Sequence, residues 1–600
     1  MKKQNISEKM FRRTFRGAAS VLTLACAAAM FGTGCSKKQA ETTAAVETEA
    51  AKAEDTKAET DNVSKDETLI TVESGEIKVS GANSKAVSIS GTTVTITDAG
   101  IYRLSGELPE GQISVEAGDK DDVRLVLDNF SITNSETAPI SVVTSGNFFV
   151  ELAEGSENLV EDKREAAVQN SSETASDTPD AAIYSKSDLY ITGSGSLIVK
   201  GGYCDGIHGK DALVISDDVK LDITAAEHGI NGKDSLEIQD GSITITSGED
   251  GLHSKGDVII SDGTMEIHAE DDGIHAETAL IIDGGTVDVA DSYEGLEGLS
   301  VTINGGTVRV KASDDGVNSA GGSDETDDIF AVTEGAAITI NGGNVYVAAA
   351  GDGLDSNGNV VVTGGEIYID GPEIGANGSL DYNGTGTITG GTFALTGSSG
   401  MFQSFSEDST QIQLVVYYTE KQEAGTKITV TDSEGNVIYE NAESTQAFEA
   451  FLLSSPELKQ GETYTVKTGD QEETVTVEGN IATIGERTGG MMGGRMGGGH
   501  GGQGMPRQSG NSEQGEMGTP PEGMPEMNAA DGQNGAPEGM TGGFGQGGPG
   551  GQGGPGGKGG PGGHGGNPPA DMGGTPPDMN GAFGQTGAGE TLPETSAAAG

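Results

Sequence analysis

Between residues 205 and 375 the apolar and polar positions of this chain repeat with a period near 22. The unit is a polar residue, a glycine, one aliphatic residue and another polar residue. It reads DGIH at 205–208, HGIN at 228–231, DGLH at 250–253 and DGIH at 272–275. It continues as EGLE at 294–297, DGVN at 315–318 and DGLD at 352–355, with a worn copy, EIGAN, at 373–377. The glycines stand at 206, 229, 251, 273, 295, 316, 353 and 375, so the steps are 23, 22, 22, 22, 21, 37 and 22. A constant step of this size marks a solenoid. Within a unit, alternation predicts short strands: ALII at 279–282, a DGG turn at 283–285, then TVDV at 286–289. The same turn recurs at 304–306, 341–343, 363–365 and 389–391, where Gly supplies backbone angles closed to β-branched residues. Short strands and corners at this period predict an all-β parallel β-helix. A leucine-rich repeat has similar length, but its LxxLxLxxN signature is missing. The 37-residue step is one coil plus an insertion, placed at 323–334.

The flanks divide the rest. Residues 1–35 combine a basic start (Lys2, Lys3, Lys9, Arg12, Arg13, Arg16) with an Ala-rich apolar run and end at Gly34-Cys35. This pattern resembles a bacterial lipoprotein signal with Cys35 as the lipid acceptor, although Gly32 stands where Leu is usual. The apolar run is shorter than the roughly 20 residues of a membrane span. Residues 36–67 hold Ala, Glu, Thr and Lys and read as a tether. Residues 68–409 form the expected β-helix, less regular before 199, with a polar loop at 161–180. Residues 410–486 alternate differently and predict a small β module that caps the open end. From 487 to 600 the chain is Gly, Pro, Met and Gln and is expected to be disordered.

Composition narrows the function. Asp+Glu number 93 against 34 Lys+Arg, a formal net charge of −59. Such a field repels nucleic acid and attracts cations. A polyanionic ligand then requires a bridging cation or a local basic patch. Of three cysteines, only Cys204 lies in the body, so no disulfide framework is available.

Stacked coils turn the repeat into columns about 4.8 Å apart. The position before the repeat Gly carries Asp205, His228, Asp250, Asp272, Glu294, Asp315 and Asp352. The position two after it carries His208, Asn231, His253, His275, Glu297, Asn318 and Asp355. Two unit charges at this spacing repel by about 0.9 kcal/mol in water, and more beside a low-dielectric wall. A Lys column (Lys186, Lys210, Lys233, Lys255) offers relief to the early coils and stops at Glu277. Later coils need another cation. Hard oxygen donors without cysteine favour Ca²⁺. The candidate ligands are Asp271, Asp272, Glu294, Glu297, Asp314, Asp315, Asp352 and Asp355. The competing reading is a solvated acidic edge in which Asp-Gly serves only the corner. The histidines read as polar corner residues, with metal ligation or catalysis as the lesser readings. Arg309, Tyr346 and Tyr368, on an outward face, are candidate sugar contacts together with Lys210, Lys233 and Lys255, since Tyr stacks on sugar rings and Arg holds carboxylates.

The repeat series, with GIYRLSGELPEGQISVEAGD (100–119), LAEGSENLVED (152–162), DAAIYSKSDLYITGSGSLIV (180–199) and GSSGMFQ (397–403), resembles a clostridial family of secreted carbohydrate-binding parallel β-helix proteins. The match covers roughly residues 68–480. These proteins are similar in fold to pectate-lyase-type polysaccharide lyases. The resemblance implies a right-handed β-helix, bound Ca²⁺, and binding of cellulose or an acidic plant polysaccharide such as polygalacturonate, with no established catalytic activity. The expected protein is a monomer on the cell surface, lipid-anchored, with a polysaccharide partner and no nucleic acid. Two alternatives stand beside this one. The first is a lyase in which Lys210, Lys233 or Lys255 removes the proton beside a uronate carboxylate. The second is an adhesin or spacer with no sugar ligand.

Overall fold

The computed structural model describes residues 66–166, 178–320, 331–441 and 444–487. The signal, Cys35, nearly all of the tether, the Gly-rich tail and parts of the two predicted loops therefore lie outside the described residues. The described chain is a β-solenoid. One coil holds the strands Asp205–Gly209, Ala212–Ile215 and Lys220–Ala225. The next holds Ile230–Gly232, Ser235–Ile238 and Ser242–Ser247, each in parallel register with its counterpart. Three parallel sheets result, one from each strand position.

The repeat governs the register. Ile207 pairs with Ile230, Ile230 with Leu252, Leu252 with Ile274, Ile274 with Leu296, Leu296 with Val317 and Val317 with Leu354. All of these side chains are buried in one continuous core. The DGG-type turns take the predicted conformation, with positive φ at Gly285, Gly306, Gly343, Gly365 and Gly391. The repeat glycines serve a different purpose. Gly206, Gly251 and Gly273 are not in the left-handed region. A Cβ on any of them would come within 2.6 Å of the next coil's carbonyl oxygen. The repeat Gly is thus required by close coil-on-coil packing rather than by turn geometry.

One expected coil is out of place. EIGAN is not the eighth corner. The amide of Gly353 donates to Gly378 O and that of Leu354 to Ser379 O. Asp355 pairs with Asp381, a step of 26 residues. Leu380 takes the core position at 1 % exposure, while Ile374 is 69 % exposed. The extra residues form a loop whose Glu373 meets Lys421 at 2.8 Å and accepts from the Ala447 amide, so it serves the cap.

The cap grows from the last coil. Thr392–Gly397 pairs antiparallel with Phe448–Ser454, which pairs with Gln413–Gln422. A separate four-stranded sheet holds Ile428–Thr431, Val437–Glu440, Thr463–Thr468 and Gln471–Thr476. A second core of Phe448, Phe451, Tyr464 and their neighbours packs beneath it. At the other end, antiparallel hairpins from Glu67 to Gly81 and from Val87 to Ile96 turn the first edge inward.

Candidate functional site

The corners of the first sheet build a polar ladder. Register places His208, Asn231, His253, His275, Glu297, Asn318, Asp355 and Asp381 in one column. Asp205, His228, Asp250, Asp272, Glu294, Asp315 and Asp352 stand beside them. Backbone bonds place Glu227, Glu249, Asp271, Tyr293 and Asp314 on the outer flank. One oxygen of several column aspartates has a structural duty. Asp250 Oδ1 accepts the Asp272 amide at 3.1 Å, Asp315 Oδ1 accepts the Asp352 amide at 2.6 Å, and Asp352 Oδ1 accepts the Gly378 amide. The second oxygen of each aspartate remains for other chemistry.

In the earlier coils the aspartates meet imidazole. Asp205 is engaged by His228 Nδ1 at 2.9 Å, by His208 Nδ1 at 3.2 Å and by Asn231 Nδ2 at 3.0 Å. Asp250 meets His253 Nδ1 at 2.7 Å. His275 Nδ1 lies between Asp272 at 2.8 Å and Glu297 at 2.6 Å. Burial opposes charge on His228, yet the bond to Asp205 and the nearby carboxylates raise it to about 9. His275, despite the same penalty, is raised to about 11 by Asp272 and Glu297. Burial opposes ionisation of Glu297 too, but the His275 bond holds it below the usual carboxylate range.

From Glu294 onward the imidazoles stop. Among the described residues no ion pair reaches Glu294, Asp314, Asp315, Asp352, Asp355 or Asp381. Burial, with crowding by one another, raises Glu294 to about 7, Asp315 to about 6, Asp352 to about 7 and Asp355 to about 8. Asn318 sits among them at 8 % exposure. Its Nδ2 donates to Glu294 at 2.8 Å, while its buried Oδ1 has no hydrogen-bond partner. Carboxylates held near neutrality and an orphaned amide oxygen form a hard, oxygen-only donor set, which fits Ca²⁺.

The predicted metal residues are therefore brought together, with a division the sequence did not reveal. Asp272 and Glu297 belong to the imidazole-paired part. Glu294, Asp314, Asp315, Asp352 and Asp355 form the unpaired part, to which the structure adds Asn318 and Asp381. The Lys column also stacks: the Lys210 amide donates to Ser185 O and the Lys233 amide to Gly209 O. Lys210 lies 3.9 Å from Asp180 and over the Tyr184 ring, and Lys255 lies 3.4 Å from Glu277.

Arg309, Tyr346 and Tyr368 are elsewhere. They share a column on the third sheet, not the ladder's sheet. The two rings lie 5.8 Å apart at 34°. Tyr368 packs on the cap core and bonds Thr396 at 3.2 Å; Tyr346 reaches Thr445 of the cap at 3.4 Å. Both are half-buried in the seam between coil and cap, so the expected open stacking face is a packing face. The exposed aromatic beside the acids is Tyr293, 48 % exposed, with its hydroxyl bonded to Asp314. It was readable in the sequence as the residue that interrupts the outer acidic column. Asp381 was hidden by the 26-residue step.

Residues 90–337 match the model of a family described as carbohydrate-binding domain-containing protein. A protein of that same description from Acetivibrio thermocellus is 35 % identical over 139 residues, 23 % of this chain and 48 % of the relative. The chain thus spans about half the length of the curated relative it matches. Among solved structures, a polysaccharide lyase-like protein from C. thermocellum, a gadolinium derivative, is 28 % identical, with a TM-score of 0.34 over 43 % of this chain and 98 % of the other.

Proposed function

We propose that this protein is a Ca²⁺-dependent, noncatalytic carbohydrate-binding protein that holds acidic plant cell-wall polysaccharide at the cell surface. The observation that carries the reading is the unpaired end of the ladder: Glu294, Asp314, Asp315, Asp352 and Asp355 around the orphaned Asn318 oxygen. The family match at residues 90–337 supports the carbohydrate part. A chain with net charge −59 holds a polyuronate only if a cation stands between them. Ca²⁺ bound there would neutralise the ladder and present open coordination positions to a uronate carboxylate. Asp271, Asp272 and Glu297 flank that centre. Tyr293 offers a ring face for a pyranose. Lys210, Lys233 and Lys255 extend the track with positive charge for further uronates. Attachment through Cys35 completes the proposal and is checked by release of a Cys35→Ser variant from the membrane fraction.

The deciding experiment is a titration of the full chain with an oligogalacturonide in Ca²⁺ and again in EDTA, beside a pull-down on cellulose. The expected result is binding in Ca²⁺, loss in EDTA, and loss in an Asp315→Asn/Asp352→Asn double variant. No unsaturated product should absorb in the ultraviolet. Chelator-resistant binding, preference for cellulose, or steady product formation would each overturn the reading.

A further inference from the structure

The paired part of the ladder holds a second arrangement that charge neutralisation does not explain. His228 is oriented by its Nδ1, which donates to Asp205 Oδ1 at 2.9 Å. That bond fixes the ring and turns Nε2 towards the next coil, where Glu249 Oε2 lies at 3.4 Å and Asp250 Oδ2 at 3.6 Å. These separations are too long for a good N–H···O bond, which runs from about 2.7 to 3.2 Å. They match the edge of a tetrahedral metal site instead: two bonds of about 2.1 Å at the tetrahedral angle span roughly 3.4 Å. The His253 ring stands 4.4 Å from the His228 ring, centroid to centroid. One ligating atom from each of His228, Asp250 and His253 lies within 4.8 Å of the others. The site is well shielded, with the side chains of Asp250, His253 and His228 at 7 %, 15 % and 18 % exposure and Glu249 at 28 %.

We propose that His228, Glu249, Asp250 and His253 form a transition-metal site of the Zn²⁺ class, separate from the oxygen-only end of the ladder. Two imidazoles with two carboxylates suit Zn²⁺ and its neighbours in the first transition row, whereas Ca²⁺ prefers oxygen throughout. Asp205 supplies the outer carboxylate that commonly orients a metal-bound histidine through its far nitrogen. On binding, His228 keeps its Nδ1 proton on Asp205, and the proton on Nε2 leaves to solvent as that nitrogen takes the metal, so uptake releases a proton. The same ladder would then carry two metals of different hardness, sorted by where histidine ends.

The test uses the full chain, stripped with chelator and dialysed, titrated calorimetrically with Zn²⁺ alone and then with Zn²⁺ in excess Ca²⁺. Co²⁺ serves as the spectroscopic probe. The expected result is one saturable Zn²⁺ site that survives Ca²⁺, and strong visible bands of four-coordinate Co²⁺. His228→Gln and Glu249→Gln should each weaken Zn²⁺ by about tenfold or more. His268→Gln, which alters a histidine that pairs with Asp291 at 2.5 Å on the third sheet, should leave it unchanged. No Zn²⁺ uptake, six-coordinate Co²⁺ only, or affinity undiminished in both Gln variants would overturn the site. If His228→Gln fails to fold by circular dichroism, the more exposed Glu249→Gln decides the matter.

Discussion

Between Asp205 and His275 each buried carboxylate of the ladder meets an imidazole, whereas from Glu294 to Asp381 every ladder carboxylate but Glu297, which His275 reaches, has only other carboxylates for charged neighbours. Both stretches lie on the same sheet, in the same register, behind the same aliphatic core. Backbone geometry therefore does not separate them; a histidine at one of the two polar positions beside the repeat Gly does. Where a coil carries one, as His228, His253 or His275, an imidazole meets the carboxylate. Where both positions are Glu, Asn or Asp, the coil supplies none. Two carboxylates about 4.8 Å apart repel by roughly 3.5 kcal/mol at an effective dielectric constant near 20. The second stretch must take up protons or a metal to relieve this; the first has imidazole partners, although burial and the neighbouring Glu297 and Asp250 still raise Asp272. The contrast ties the ligand preference of each segment to two positions per coil.

Removing metal should separate the two regions most strongly. A ligand held at a thousand times its Kd adds about 4 kcal/mol of stability. At about 2 °C per kcal/mol for a large domain, EDTA should lower Tm by about 8 °C. In hydrogen exchange, with Zn²⁺ restored after chelation and only Ca²⁺ withheld, the loss should concentrate in coils 294–381 and spare coils 205–253. A uniform loss, or no change in Tm, would dissolve the comparison. The chelated protein should also show a defined pH response. Glu294, Asp315, Asp352 and Asp355 have folded pKa values raised to between about 6 and 8, above those of the unfolded chain near 4. The folded state then binds more protons than the unfolded one, so stability falls as pH rises from about 4 to about 8. Saturating Ca²⁺ should flatten that fall. Urea melts at fixed pH intervals, with and without Ca²⁺, measure both slopes.

Next in size is the boundary residue. His275 faces Asp272 and Glu297 together. Breaking a buried pair by removing one partner costs about 3–5 kcal/mol, and partial exposure places this case at about 3. His275→Asn, which installs the residue that Asn231 and Asn318 already represent, should lower stability by that amount in chelator. It should also enlarge the unpaired region, so that Ca²⁺ recovers more stability in the variant than in the parent. Equal recovery in both proteins would show that the histidine is not the boundary.

Much of this fold could be read from spacing, because coil-on-coil packing imposes a strict rule. A Cβ at Gly206 or Gly273 would collide with the adjoining carbonyl, so the chain must return a Gly at each turn. The buried series from Ile207 to Leu354 followed from the same rule. Reading by spacing failed where length changed without a break in composition. EIGAN kept the 22-residue step, but Ile374 is on the surface and Leu380 is in the core. Tyr346 and Tyr368 were placed in the right column, yet no local pattern reports that a module beyond the last coil will cover them. The histidines were undervalued because their effect depends on which carboxylate oxygen remains after the backbone amides have taken the other. That is a property of neighbouring coils and not of any one repeat.

The smallest expected effect discriminates best, because it changes sign. Burial, with Asp352, Asp315, Asp381 and Glu294 nearby, raises Asp355 to about 8. In chelator near pH 8 this carboxyl is partly forced into an unfavourable charge, so Asp355→Asn removes repulsion and should stabilise the fold by about 1 kcal/mol. With Ca²⁺ present the same change removes a donor and should destabilise by about the same amount or more. The equivalent test at the paired end, Asp250→Asn, should destabilise in both conditions, since it strips His253 of its partner at 2.7 Å. Denaturant melts of the two variants, each with and without Ca²⁺, give four shifts. If Asp355→Asn shifts stability in the same direction in both conditions, the unpaired end is a solvated acidic edge and the cation has no place there.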